Sequence, residues 1–391
     1  MTSSETTAAQ VHHFSTGNLR VRLETLPWAG SFGAALVVGC GSRDDLPGLE
    51  GTAHMAEHLN VLGGPAPGPP TLPVLAVTEI DRTVYRTTGD PLDGLAAIRH
   101  LVDLTNGHRT RTTPRVFEGE RHAVLLETRR MDHRPVQRLG PLIAAAAADE
   151  PGLDAIARTT TRSVSRITQA DVHALVHGHY PRSPSQLFVA GPPALHAVVE
   201  ELLASHRGTA PVAEAHPVAA PRPVPDDAPV LTGLNDLTAV TLLRPRAPGT
   251  ALDALVHPYG PILTPGGAAR PRPLGRTTIA GRGRQVDIVL WDTRAEDVTA
   301  ALERSLPAVA ADWHALTRET VTRLETAAAQ AERRDRAATP AARVRAAADR
   351  HTFAHRSATT ARLALWRITR GVPHLLAEHL LAGNPLSPAP A

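Results

Sequence analysis

Apolar positions change period several times along the first half of the chain, and each change marks an element. Polar and apolar residues alternate through LRVRLETLP (19–27), and FGAALVVGCGS (32–42) is a continuous apolar run closing on Gly-Cys-Gly-Ser; both read as strands. A helix is expected from about Gly51, carrying the stretch GTAHMAEHL, whereas GGPAPGPPTLP (63–73) is too rich in Pro and Gly for either element and reads as a loop. VLAVTEIDRTVYR (74–86) reads as one strand-like run, followed by two helical stretches, PLDGLAAIRHLVDLT and RVFEGERHAVLLETRR. An Ala-rich helical region reaches about residue 160, TQADVHALVHGHY (168–180) opens on a cap-type Thr, and QLFVAGP closes the unit as a short strand.

Residues 207–229, RGTAPVAEAHPVAAPRPVPDDAP, have no periodicity and are dense in Pro, which predicts a linker. Beyond it LTAVTLLRP and QVDIVLWD read as strands, and a helical stretch is expected from Ala295 to about Ala348. The expected division is a tail over 1–11, a domain over 12–206, the linker, a second domain over 230–384 and a tail over 385–391. Strands and helices recur in both halves in roughly similar order. The expected fold class is therefore α+β, with two domains of related type, each a mainly antiparallel sheet packed with helices.

Length and charge narrow the functional classes. The chain has 391 residues, enough for two or three domains with sizeable cores. Its 41 basic residues, all Arg, nearly balance 38 acidic ones, and no Arg run is interleaved with aromatics, so neither a nucleic-acid partner nor a membrane surface is indicated. One cysteine, Cys40, rules out an intramolecular disulfide framework and a cysteine-based metal knuckle. The first residues lack a charged segment followed by an apolar one, and no apolar run approaches the roughly 18 residues of a membrane span, so a cytoplasmic location is expected.

The candidate chemistry lies in His54-Met-Ala-Glu57-His58. On a helix, residues four apart lie within about 40° of each other, so both imidazoles can converge on one ion. Glu57, about 60° from His54, is near enough to hold a water without being a ligand. Zinc suits two neutral imidazoles and a carboxylate, and it lowers the pKa of a water to about 7. With 20 His and 18 Glu, chance supplies such a motif about 0.05 times in a chain of this length, so context has to decide. The helix RVFEGERHAVLLETRR provides it: Glu120 and Glu127 are seven apart and about 20° from eclipsed, while Glu118 falls on the side opposite Glu127. Two carboxylates in a row on a helix otherwise lined with Phe117, Val124 and Leu125 point to convergence on one site with the histidines.

GCGSRDDLPGLEGTAHMAEHLNVLGG closely resembles the zinc-helix region of the pitrilysin family, the mitochondrial-processing-peptidase-like inverzincins. The likeness includes the Gly-Ser-Arg-Asp turn and the Pro-Gly-Leu-Glu-Gly lead-in, which metal chemistry does not require. EGERHAVLLE resembles the family's downstream helix, and LETLP, VTEIDRTVY and HGHYPRSP fall in the expected order, so the resemblance spans about residues 12–200. It implies that His54, His58 and Glu127 bind one Zn2+ per chain. Glu57 would be the general base, and Glu120 a supporting carboxylate that orients the site. It also implies that a peptide substrate adds as a strand to the sheet edge containing Ala76, Val77 and Thr78. The implied activity is zinc-dependent endopeptidase, in a half clam shell.

Three features depart from the family pattern. The interval from His58 to Glu127 is several residues shorter, and Leu75 stands where an Asn commonly precedes the edge strand. In GGAARPRPLGRTTIAGRGR, where single-chain members carry an Arg and a Tyr that hold the peptide, Arg270 or Arg272 is present without a Tyr; Tyr259 lies upstream. By resemblance this implies a zinc-bearing subunit that works with a homologous partner carrying the Arg/Tyr pair, or as a homodimer. Leader-peptide removal in peptide natural-product maturation is the implied substrate class, and a non-catalytic scaffold or peptide-binding subunit is the alternative. Other clusters are decoys: on a helix His374 and His379 would sit about 140° apart, and His173, His177 and His179 have no carboxylate at ligand spacing. Cys40 has no basic activator beside it, and Ser42, Ser163 and Ser165 lack a nucleophile-elbow setting.

Overall fold

The run FGAALVV forms a strand, β3 (Phe32–Val38), in which every residue is buried. Alternate side chains enter two cores: Ala34, Leu36 and Val38 face one, Ala35 and Val37 the other. This is why the run shows no alternation, since a strand covered on both faces has no polar side. A computed structural model of the chain describes residues 8–62, 73–106, 112–132, 134–150, 152–206, 236–245, 274–280, 284–292, 339–351, 361–369 and 372–381, with the single positions 300, 303, 304 and 307. The expected loop over 63–73, apart from Pro73, the linker over 207–229, most of the helical stretch before Pro340, and Tyr259, Arg270 and Arg272 lie outside the described residues.

The chain divides into two compact units, residues 1–125, 162–216 and 332–353 forming one, and 126–161, 217–331 and 354–391 the other. The first unit contains β1 (Gln10–Thr16), β2 (Leu19–Thr25), β3, β4 (Leu75–Thr78), β5 (Thr83–Gly89) and β6 (Ser185–Gly191). They form a sheet in the order β1-β2-β6-β3-β5-β4, antiparallel except for the β2–β6 pair. β1 begins at Gln10, inside the stretch expected to be a tail. The run read as a single strand over 74–86 is a hairpin, its turn closed by Glu79 N–H donating to the Arg82 carbonyl at 2.8 Å. Glu-Ile-Asp-Arg contains neither Gly nor Pro, so nothing in its composition announces the reversal.

On one face of this sheet pack α1 (Thr52–Leu62), α2 (Gly94–Leu104), α7 (Gln169–His179) and α8 (Leu195–Ser205), which contribute Met55, Leu59, Ile98, Leu101, Val172 and Val199 to the core. On the other face lies α9 (Pro340–Arg350), through Val344 and Ala348. Thr168 caps α7 with a reciprocal Asp171 bond, as its position in the sequence predicts. The C-terminal carbonyls of α9 are satisfied by Arg82, whose guanidinium donates to the backbone oxygens of Ala348 and His351, and Arg343 pairs with the buried Glu24.

The second unit holds β7 (Asp236–Pro245), β8 (Gly275–Ala280), β9 (Arg284–Asp292), β10 (Ala361–Thr369) and β11 (Val372–Leu381) in the order β11-β10-β7-β9-β8, all pairs antiparallel. α4 (Pro135–Ala148) packs on β8, β9 and β7. The contiguous division expected at the linker is thus crossed twice, by α4 in the second unit and by α9 in the first. PHLLAEHLL, treated as helical in weighing His374 and His379, is part of β11; its leucines satisfy a helical spacing, but pairing with β10 fixes it as a strand with a bulge. Both units are α+β with mainly antiparallel sheets.

The seat of α9 turns on Gly33 of β3, where a Cβ would lie 2.8 Å from the backbone N and Cα of Ala341. A helix backbone cannot yield as a side chain does, so Gly33→Ala is expected to cost about 1–3 kcal/mol. Gly30→Ala, with nothing within 4 Å of the added atom, should stay within about 0.5 kcal/mol of the parent in denaturant unfolding.

Candidate metal centre

α1 starts without an acidic residue in its first turn, and its amides are satisfied from outside. The two oxygens of Asp45 accept from Gly51 N–H and Ala53 N–H, each at 2.7 Å. Gly51 itself takes φ 103°, a conformation that suits glycine, as the chain turns into the helix. Near its other end, Asn60 donates to the Tyr85 hydroxyl at 3.0 Å, which shares a 2.7 Å bond with the Tyr180 hydroxyl. Burial pushes both phenols above their usual range, keeping them protonated in this network. α1 is thereby fixed at both ends.

The lead-in also fixes the neighbouring hairpin. A Cβ at Gly41 would sit 2.5 Å from the Glu79 carbonyl and 2.6 Å from the Arg82 nitrogen. In that tight approach Ser42 N–H donates to Glu79 O at 3.0 Å and Arg43 N–H to Ile80 O at 2.8 Å, while Asp44 accepts from Gly41 N–H at 2.8 Å. The Gly-Ser-Arg-Asp turn therefore positions β4 against α1.

On this frame, His54 and His58 stand one turn apart on α1 with ring centroids 4.9 Å apart and planes at 73°. Glu127, on α3 (Pro114–Asp132), completes a set of three potential ligand atoms that lie within 4.8 Å of one another. Both histidines are half-buried and Glu127 is exposed. Two turns earlier on α3, Glu120 Oε2 lies 2.9 Å from His58 Nδ1. A carboxylate can only accept, so Nδ1 is the donor, and in the neutral imidazole that tautomer puts the ring's lone pair on Nε2. Glu57, 8% exposed, receives a 2.6 Å hydrogen bond from the Thr78 hydroxyl. Glu118 is turned elsewhere and pairs with Arg121.

Ala76, Val77 and Thr78 lie on β4, the last strand of the first sheet among the described residues, with Leu75 and Val77 exposed and Ala76 and Thr78 half-buried. The donor set fits zinc: two imidazoles and one carboxylate, close enough to share one ion, with an aligned carboxylate behind one imidazole.

No family model and no curated protein sequence matches the chain. Solved structures do. A protease from Helicobacter pylori aligns with TM-score 0.59 and 15% identity over 86% of this chain and 88% of its own. A putative M16-like peptidase from Alicyclobacillus acidocaldarius gives 0.57 and 15% over 88% and 90%, and a peptidase M16 inactive domain from Pseudomonas fluorescens 0.58 and 13% over 85% and 86%. The chain has the M16, or pitrilysin-like, peptidase fold.

Within this M16 fold the residues singled out in the sequence fall close together: His54, Glu57 and His58 on α1, Glu120 and Glu127 on α3, and Thr78 on β4. Sequence reasoning missed the side-chain part played by Thr78, the Asn60–Tyr85–Tyr180 network and the Asp45 cap. Only Asp45 left a trace, in the Ser-Arg-Asp-Asp lead-in that metal chemistry does not explain. Among the described residues no helix is long and apolar enough to cross a membrane.

Burial pushes the Asp45 carboxyl up to about 8, outweighing its two backbone donors, which act in the opposite direction. A folded pKa above the unfolded one favours the fold below the unfolded pKa, and that contribution is lost as pH rises towards 8. Thermal unfolding midpoints should accordingly fall from pH 5 to pH 9 more steeply in the parent than in Asp45→Asn; equal slopes would contradict the assignment.

Proposed function

We propose that the chain is a zinc-dependent endopeptidase subunit acting in the cytoplasm on short or unfolded peptides. The observation that carries this reading is the convergence of His54, His58 and Glu127 ligand atoms within 4.8 Å, with Glu57 on the same helix. His54, His58 and Glu127 would hold the ion. Zinc bound there would supply a water acidified to a pKa of about 7 and a Lewis acid for the scissile carbonyl. Glu120 holds the Nδ1 proton of His58, which keeps that imidazole in the ligand tautomer. Glu57 takes the proton of the attacking water and delivers it to the leaving amine. The backbone of Ala76, Val77 and Thr78, on the strand that ends the first sheet among the described residues, receives the peptide as an added strand.

The lack of a Tyr in GGAARPRPLGRTTIAGRGR supports a division of labour in which a homologous subunit contributes the Arg/Tyr pair. A precursor peptide that loses its leader is the substrate we favour. A second reading, a non-catalytic peptide-binding subunit, draws on the likeness to a domain described as inactive.

Metal analysis and activity separate these readings. The purified chain should hold one zinc, retained in Glu118→Ala and lost from Glu127→Ala. Glu57→Gln should keep the metal while peptide cleavage by the reconstituted pair drops by about 10²- to 10⁴-fold. Absence of zinc, or cleavage unaffected by Glu57→Gln, would refute the catalytic reading. Poor cleavage by the chain alone, restored by the homologous subunit, is the outcome expected for a pair; efficient turnover by the monomer would refute it.

A further inference from the structure

We propose that Thr78 is a positioning residue for Glu57, linking the docking of a peptide on β4 to the orientation of the base. This rests on the endopeptidase reading. Glu57 is nearly buried, and its Oε2 takes the 2.6 Å bond from the Thr78 hydroxyl. Its Oε1 accepts no hydrogen bond from a described residue, so one oxygen is anchored and the other is left to receive a proton. Thr78 keeps its own proton throughout; the one removed from water resides on Glu57 and then on the leaving amine.

The anchor is itself firmly held. Thr78 pairs with Thr83 across the hairpin, Thr83 donates to the Cys40 carbonyl at 2.8 Å, and the turn between them is clamped by the backbone of Ser42 and Arg43. A glutamate side chain has three rotatable bonds, and fixing one carboxylate oxygen to a rigid strand removes much of that freedom before substrate arrives. The same residue lies on β4, the last strand of its sheet among the described residues. A peptide that pairs along β4 therefore steadies the strand that aims the base, and part of its binding energy appears in kcat.

Three variants test this in the zinc-loaded chain with its partner subunit. Thr78→Val keeps a β-branched shape and removes the donor, Thr78→Ser restores the donor, and Thr78→Ala replaces Val should Val fold poorly. The donor-less variant should retain one zinc and lose about 10- to 100-fold in kcat with KM little changed. Ser should recover most of the loss. The kcat advantage of long peptides over ones too short to span β4 should shrink in the same variant. Crystal structures supply a readout that does not need activity: the Glu57 carboxylate should turn away from its parent position in Thr78→Val and return in Thr78→Ser. A carboxylate that stays in place, or a donor-less variant with parental kcat, would overturn the proposal. A parent that cleaves nothing would refute the endopeptidase reading, and the position of Glu57 in the variant structures would still decide whether Thr78 holds it.

Discussion

Gly41 approaches the β4–β5 turn so closely that a single added carbon would collide with the Glu79 carbonyl and the Arg82 nitrogen. That approach lets two backbone amides, of Ser42 and Arg43, bond directly to the turn, and a few residues later the same segment delivers Asp45 to the start of α1. One short stretch of chain thus fixes a helix and a strand to each other. Glu57 rides on the helix and Thr78 on the strand, and a 2.6 Å hydrogen bond joins them. A one-carbon constraint in a turn sets the geometry of the candidate chemistry.

Around that frame the ionisable groups are arranged in order of depth. Glu57 is nearly buried, His54 and His58 are half-buried, and Glu127 is exposed. The bond between Glu120 and His58 Nδ1 settles the tautomer that a ligand imidazole needs. Behind the helix, Asn60, Tyr85 and Tyr180 form a buried polar network that ties α1 to the sheet through neutral hydrogen bonds, because burial keeps both phenols protonated. Stability and candidate chemistry therefore draw on the same helix.

Much of this was readable from residue order alone. The apolar run 32–38, the alternation through 19–25 and the spacing of Glu120 from Glu127 reflect periods that any strand or helix must have. The hairpin at 79–82 was hidden, because Glu-Ile-Asp-Arg reverses direction through contacts with distant backbone and not through its own turn preferences. β11 was hidden for the opposite reason: its leucines suit a helix, and only pairing with β10 decides for a strand. β1 starts earlier than composition suggests for the same cause, since its ladder to β2 orders residues with little apolar character.

The sequence by itself determined the elements with strong local periods, the pair of imidazoles on one helical face and the two aligned carboxylates on another, because helical geometry is the same wherever a helix sits. Tertiary structure alone decided which sheet covers α4 and α9, which carboxylate stands behind His58, and that a threonine on the sheet edge grips Glu57. Those choices depend on backbone approaches between residues tens to hundreds of positions apart. No local period encodes them; they exist only once the chain has closed on itself.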